Sequence, residues 1–346
     1  MHGISARLDD LEAAVRTNPS DPLLWLQLGV CREEVGQSLK ALQAWFQAVS
    51  RAQQAHQWID KASTPPEWMD LVLHAIEQVR RRRRELYFGS YEALRHEHGA
   101  EALKRVDRAL AHHLREWRSE SIDPRQKPRF FYFPDLPSLP YLDPFSQPWA
   151  AHLLDAFPAI RQEAIEVLHS NVGIEDFVRI KKGDRMENYL GGQKPAWEAF
   201  FFFRHGKRYD ENHLRCPATS RALESIELCR IRDHAPEICF SLLTPGTHLL
   251  PHYGVTNVRV VMHLPLLVPR ECALNVIGAG EHHWREGELM MFDDTFQHEA
   301  WNRSDSVRMI LLMDCWNPGL TSVERQAVTM LIETIGTLHR SANTAA

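Results

Sequence analysis

Residues 241–316 read SLLTPGTHLLPHYGVTNVRVVMHLPLLVPRECALNVIGAGEHHWREGELMMFDDTFQHEAWNRSDSVRMILLMDCW, short Val, Leu, Ile, Met and Phe runs broken by Pro, Gly, Asn and Asp. This is the pattern of antiparallel strands joined by turns. His252, Arg259, His263, His298 and Arg308 stand inside or at the ends of those runs. A polar or charged side chain among buried ones is costly unless something pairs with it. The stretch therefore predicts a β core with a site built into it.

Towards the C-terminus, Thr321 followed by Glu324 forms the capping-box pattern and predicts a closing helix, with no regular structure expected beyond about residue 340. Towards the N-terminus, Trp197 and Phe200–Phe203 predict a buried strand within 188–208. A turn at His205-Gly206 then leaves Lys207 and Arg208 at its mouth. Helices are predicted over about 216–231 and over 149–169, where Leu153, Leu154, Phe157, Ile160 and Ala164 share a face. Residues 121–149 are rich in proline and aromatics, which forbids long helix and allows a short strand at Phe130–Phe133. That shift in composition puts a domain boundary near 120.

Residues 5–120 have helical periodicity. After Asn18-Pro19-Ser20-Asp21-Pro22 come Trp25, Leu28 and Gly29, then Ala41, Trp45 and Ala48, the W-x2-L-G and A-x3-aromatic spacing of a tetratricopeptide repeat. Gly29 and the alanines would let two helices approach closely. One full repeat and half of an earlier one are too few for independent stability, so the segments 58–62, 66–87 and 91–117, read as further helices, must supply packing partners. Such a domain either presents a groove to a partner or buttresses its neighbour, and both readings stand. The five arginines Arg80–Arg84 spread around a helix and predict a solvated surface paired with Glu77 or Glu85. The expected organisation is a helical domain over 1–120 and a β-rich domain over 121–346.

The whole chain of 346 residues is 44% hydrophobic and 25% charged with net charge -5, an ordinary soluble composition that argues against general nucleic-acid binding. No apolar run approaches the ~20 residues that span a bilayer, and the opening residues lack signal-peptide order, so no membrane and a cytoplasmic location are expected. Six scattered cysteines without a CxxC pair predict buried free thiols.

His252 and His298 lie 46 residues apart, each near a strand end, where they could face one another across a barrel mouth. Imidazole is a good ligand for iron(II), and a catalytic iron needs few protein ligands. Arg308, in the next strand, requires an anion, and its planar guanidinium suits a carboxylate. Together they describe a site for 2-oxoglutarate, whose oxo-acid end would chelate the metal while Arg308 holds the far carboxylate. The usual third ligand, an Asp or Glu two residues after the first histidine, is replaced by Gly254. Asp293, Asp294 or a water would have to serve instead, although both aspartates also read as turn residues that orient His298.

The segments PGTHLLPHYGVTNVRVVMHL, FDDTFQHEAW and VRMILLMDCWNP resemble the aspartyl/asparaginyl β-hydroxylases, iron(II)- and 2-oxoglutarate-dependent oxygenases on a double-stranded β-helix. That family also carries His-x-Gly where other oxygenases carry His-x-Asp. The resemblance implies His252 and His298 as iron ligands, Arg308 and Ser241 on the distal carboxylate, and Arg259 and His263 in contact with the oxoglutarate. It implies an α+β chain, with an all-α tetratricopeptide-like domain before a jelly-roll oxygenase domain with flanking helices. The expected reaction is hydroxylation of an Asp or Asn side chain in a peptide or protein, docked in part on the helical domain. A lipid or free amino acid acceptor, and a non-catalytic scaffold on the same fold, remain as alternatives.

Overall fold

The computed structural model describes residues 2–120, 122–178, 190–192 and 195–341. The readings made for Asn188, Tyr189, Gln193, Lys194 and the last five residues lie outside the described residues. The chain divides into two compact units, 1–99 with 330–346, and 100–329.

The first unit holds α1 (His2–Thr17), α2 (Pro22–Glu34), α3 (Ser38–Gln54), α4 (Met69–Gly89) and α5 (Glu92–His98). Pro22 opens α2 and Asp21 caps it, its carboxylate accepting from the Leu23 amide at 2.8 Å. The spacing that suggested close helix approach has a physical counterpart. A Cβ placed on Gly29 of α2 would lie 2.2 Å from the indole of Trp45 on α3, and Trp45 is fully buried. Gly29→Ala therefore gains about 1 kcal/mol of helix propensity but must displace a buried indole, at about 1–3 kcal/mol. We expect a lower urea midpoint for Gly29→Ala. Gly89→Ala, which meets nothing within 4 Å, should leave the midpoint unchanged or raise it.

Residues 58–62 are not helical as their pattern suggests. His56 and Trp58 have positive φ, and Asp60 and Ser63 tie the loop together through side-chain bonds to backbone, the alternative to helix that these residues favour. In α4, Arg81 pairs with Glu85 at 3.3 Å, while Arg82 turns inward to Glu33 at 2.6 Å and over Trp45.

The second unit begins with α6 (Lys104–His113), followed by β1 (Tyr141–Leu142), α7 (Ala150–Asp155), α8 (Phe157–Ser170), β2 (Glu175–Asp176), β3 (Leu190–Gly191), β4 (Trp197–Arg204), β5 (Lys207–Arg208), α9 (Asp210–Arg215) and α10 (Pro217–Glu224). The strands β6 (Ile238–Leu243), β7 (His248–His252), β8 (Arg259–Leu267), β9 (Cys272–Val276), β10 (Gly280–His283), β11 (Met290–Phe292), β12 (His298–Asn302) and β13 (Arg308–Trp316) complete it, and α11 (Ser322–Ser341) follows, with its residues from 330 onward counted in the first unit. Thr321 and Glu324 make the expected capping box: the Glu324 amide donates to Thr321 Oγ1 at 3.3 Å and the Thr321 amide to Glu324 Oε2 at 2.9 Å. No helix among the described residues is long and apolar enough to cross a membrane.

The strands pair antiparallel in an eight-stranded sheet, in the order β1-β11-β8-β13-β6-β4-β2 with β5 beside β4, and a five-stranded sheet, β10-β9-β12-β7-β3. The class is α+β. Alternation along the central strands separates two faces. Phe200, Phe202, Phe240, Leu242, Val260, Met262, Met309 and Leu311 point to one side, where they share a core with Leu153, Ile160 and Leu223 of the helices. On the other face Leu243, Val261, Met290 and Phe292 meet Leu249, Leu274, Val276 and Ala300 of the small sheet. Ser241, Arg259, His263 and Arg308 sit at alternate positions that share this second face.

Candidate active site

In the pairing of β7 with β12, His298 stands directly opposite His252, and their ring centroids are 4.1 Å apart. Both rings are fixed by the same local device. Nδ1 of His252 donates to the Leu250 carbonyl at 2.8 Å, and Nδ1 of His298 to the Phe296 carbonyl at 3.0 Å, each two residues upstream. A carbonyl only accepts, so Nδ1 carries the proton in each ring and the lone pair lies on Nε2. Burial pushes both imidazoles down to about 4, and for His252 the neighbouring His298 adds to the effect. Both rings are therefore neutral at physiological pH, the form that ligates a metal.

The space next to this pair explains Gly254. A Cβ there would fall 2.1–2.2 Å from the carboxylate atoms of Asp294, while the Gly254 amide donates to the Asp294 carbonyl at 2.6 Å. A carboxylate from four residues before His298 thus takes the room that a side chain two residues after His252 would need. Asp294 Oδ2 accepts from Arg259 at 3.0 Å, and Oδ1 is buried with no hydrogen-bond partner among the described residues.

Arg259 is held between two carboxylates, Asp294 and Asp314, at 3.0 and 3.1 Å. Burial pushes Asp314 up to about 7 against the opposing pull of Arg259, which itself is held well above its ordinary value by the two acids. Asp293 does not face this group. It accepts from the Thr295 amide at 2.9 Å and from Gln126 Nε2 at 2.8 Å, which fixes the turn before His298, and burial pushes it up to about 7.

Arg308 is 2% exposed, forms no ion pair among the described residues, and leaves Nε buried without a partner. Its Nη1 donates to the Ser241 carbonyl at 3.4 Å, and its guanidinium lies 4.8 Å from the centroid of the Trp284 ring. Burial alone pushes it down to about 10. Trp284 Nε1 in turn donates to Nδ1 of His263 at 3.3 Å. Phe292 stands between His263 and His298, at 5.3 and 5.2 Å, so ring contacts run unbroken from the histidine pair to Arg308. Ser241 Oγ accepts from Trp197 Nε1 at 3.0 Å.

The structure thus places His252 with His298, and Ser241, His263 and Arg308 with one another, while Arg259 is engaged by Asp294 and Asp314. Lys207 and Arg208 lie on exposed β5, where Arg208 pairs with Asp210 at 2.8 Å and covers Phe203 of the outer face. Trp284 was not singled out from the sequence. It is an isolated tryptophan after a short strand, and no spacing rule connects it to Arg308. Trp197, expected in a buried strand, lies at the start of β4 with its indole turned to Ser241.

A family model described as aspartyl/asparaginyl beta-hydroxylase matches residues 155–318, which include every one of these groups except Gln126. Those residues are similar to the aspartyl/asparaginyl beta-hydroxylase family. Aspartate beta-hydroxylase domain-containing protein 2 of Rattus norvegicus is 34% identical over 212 residues, covering 60% of this chain and 59% of that protein. The aspartyl/asparaginyl beta-hydroxylase of Homo sapiens is 33% identical over 176 residues, 49% of this chain and 21% of that protein. The ornithine lipid ester-linked acyl 2-hydroxylase of Rhizobium tropici is 32% identical over 181 residues, 52% of this chain and 61% of that protein. The chain spans 59% of the length of the first of these relatives. The relatives by name thus include hydroxylases of an amino acid side chain and of a lipid.

The donor set fits the metal that such a family implies. Two neutral imidazoles with lone pairs fixed by the backbone suit a divalent first-row ion and leave most of its positions to other ligands. Among the described residues, no group of three or more His, Cys, Asp or Glu side chains comes together as a metal cage. Buried Arg308, which has no ion pair among the described residues, fits an acid at the other end of the same interior.

Proposed function

We propose that this chain is an iron(II)- and 2-oxoglutarate-dependent hydroxylase on a double-stranded β-helix, acting on an Asp or Asn side chain of a peptide or protein. The reading rests on His252 and His298, opposed at 4.1 Å, sharing one interior with a fully buried arginine that has no carboxylate partner among the described residues. His252 and His298 would hold the metal through Nε2. Arg308, Ser241 and His263 would hold the distal carboxylate of the oxo acid. A divalent cation and a guanidinium in one low-dielectric interior repel unless a dianion lies between them.

Iron, oxygen and the oxo acid together supply the oxidising chemistry that hydroxylates an unactivated carbon while the oxo acid becomes succinate and carbon dioxide. The protein's own part is to orient and to keep water out. Arg259 would act by holding Asp294 against Gly254, which keeps a carboxylate beside the histidine pair. The helical unit, with a cavity of about 660 Å³ whose lining includes Phe46, Gln47, Arg51 and His339, would offer the peptide a surface.

The Rhizobium tropici relative favours a second reading, in which the same residues hydroxylate an acyl chain. The test offers the full chain an Asp peptide, an Asn peptide and an ornithine lipid in turn, with iron(II), 2-oxoglutarate and oxygen. Succinate is measured alongside the mass of the acceptor. We expect one added oxygen on a peptide; oxygen added to the lipid alone would replace the acceptor assignment. Failure to form succinate with any acceptor, together with failure to retain iron, would leave a binding scaffold.

A further inference from the structure

One arginine of the first unit is built into a wall and left without an acid. Elsewhere in that unit Arg32, Arg81 and Arg82 each pair with a glutamate, at 3.0, 3.3 and 2.6 Å. Arg51 of α3, partly buried, forms neither an ion pair nor a side-chain hydrogen bond among the described residues. Its guanidinium lies 5.0 Å from the centroid of the Trp25 ring, and that indole is anchored by Nε1 donating to the Pro19 carbonyl at 2.8 Å. Burial pushes Arg51 below its ordinary value, and no carboxylate among the described residues opposes the shift.

Arg51 lines the cavity of about 660 Å³ together with Phe46, Gln47, Ser50 and His339. No Asp or Glu lines it among the described residues. Gln47 is 5% exposed, yet its side-chain amide has no hydrogen-bond partner among the described residues and is not sealed from solvent, so its polar end opens onto the cavity. An amide held that deep is satisfied only by what enters there, water or ligand. Phe46, with its ring centroid 4.9 Å from that of His339, supplies an apolar flank.

We propose that this cavity binds an acidic residue of a peptide, with Arg51 on the carboxylate and the Gln47 amide on an adjoining peptide group. The inference deepens the peptide acceptor reading, on which it rests, by giving the helical unit a preference of its own. A guanidinium meets a carboxylate through two parallel N–H bonds, and it can do so while packed on an aromatic ring. A side-chain amide has a donor end and an acceptor end, which match a backbone C=O and N–H; a phosphate would offer it acceptors only. The volume lies within the roughly 300–1,000 Å³ of sites for drug-sized ligands, room for an acidic side chain and its neighbours.

The test uses the full chain, immobilised without metal or oxoglutarate, and two synthetic pools of decapeptides with blocked termini. Both pools vary neutral residues, Asn included, around a fixed central residue, which is Glu in one and Gln in the other. We expect wild type to retain the Glu pool about 10-fold more than the Gln pool. Arg51→Met should lose that preference, and the matched change Arg80→Met, at an exposed position of α4, should keep it. Equal retention of the two pools by wild type, or a preference that survives Arg51→Met, would overturn the proposal. Loss of the preference in Arg80→Met as well would assign it to general surface charge and overturn the proposal too. Gln47→Leu should weaken both pools alike, and undiminished retention there would overturn the peptide-group contact. Should Arg51→Met not fold, Arg51→Gln is read in its place. Free glutarate bound as tightly as the Glu pool would replace the peptide with a small acid. Iron(II), 2-oxoglutarate and oxygen are then added to the retained peptides. No oxygen gained by any of them would fail the acceptor reading while the binding preference stands, and equal hydroxylation of both pools by wild type and Arg51→Met would fail the cavity assignment alone.

Discussion

His298→Ala is expected to bind iron(II) or manganese(II) at least about 100-fold more weakly than wild type, so that gel-filtered protein retains no stoichiometric metal. Losing an outer-sphere partner of a ligand already costs about 10- to 100-fold, and here one of two protein donors is lost outright. The residual donor, His252, would hold the metal alone. His248→Ala is the matched control. That residue lies on the same strand as His252, pairs with Glu299 at 2.7 Å, and should leave metal content unchanged. Because burial holds His252 and His298 near 4, protons should begin to displace metal only well below the ordinary histidine value of about 6.5. Wild-type metal content in His298→Ala, measured by elemental analysis, would remove the metal assignment.

The contrast between strands and site shows what the sequence could reveal. His252, His263, His298 and Arg308 stood out because a polar group in an apolar strand is conspicuous one residue at a time, and alternation then places Ser241, Arg259, His263 and Arg308 on one face. By its spacing alone Gly254 was readable as a missing carboxylate, and the resemblance added only that His-x-Gly is a known variant. That Asp294 fills the space follows from two turns meeting, which no local spacing encodes. The role of Trp284 depends on the same kind of contact, between the end of β10 and the first residue of β13. Phe130–Phe133, read as a short strand, forms only a single parallel bridge, Phe131 with Thr256, because its partner segment before β8 is itself not a strand. The helix expected over 149–169 is two helices, with Pro158 in the first turn of α8, where its missing N–H costs nothing. Trp25, Gly29 and Trp45 were legible at their spacing because two helices joined by a short loop bury residues close in sequence.

Arg308→Met should separate binding from stability, with effects of opposite sign. A buried guanidinium without a carboxylate partner among the described residues is a desolvated charge, and burial pushing it down to about 10 expresses that cost. An apolar side chain of similar length fills the same space against Trp284, and replacing a buried charge by a packed hydrophobe is neutral or stabilising by about 1–4 kcal/mol. The ligand-free variant should therefore melt at or above the wild-type temperature. Its affinity for 2-oxoglutarate should fall by about 2–5 kcal/mol, because the distal carboxylate would enter the interior without its cation. Wild type at 100 times its dissociation constant gains about 2.7 kcal/mol from the ligand, and the variant at the same concentration should gain almost nothing. Paired melts with and without 2-oxoglutarate, in the presence of manganese(II), read both quantities at once. A variant destabilised without ligand yet still stabilised by it would mean that Arg308 serves the fold and that the acid binds elsewhere.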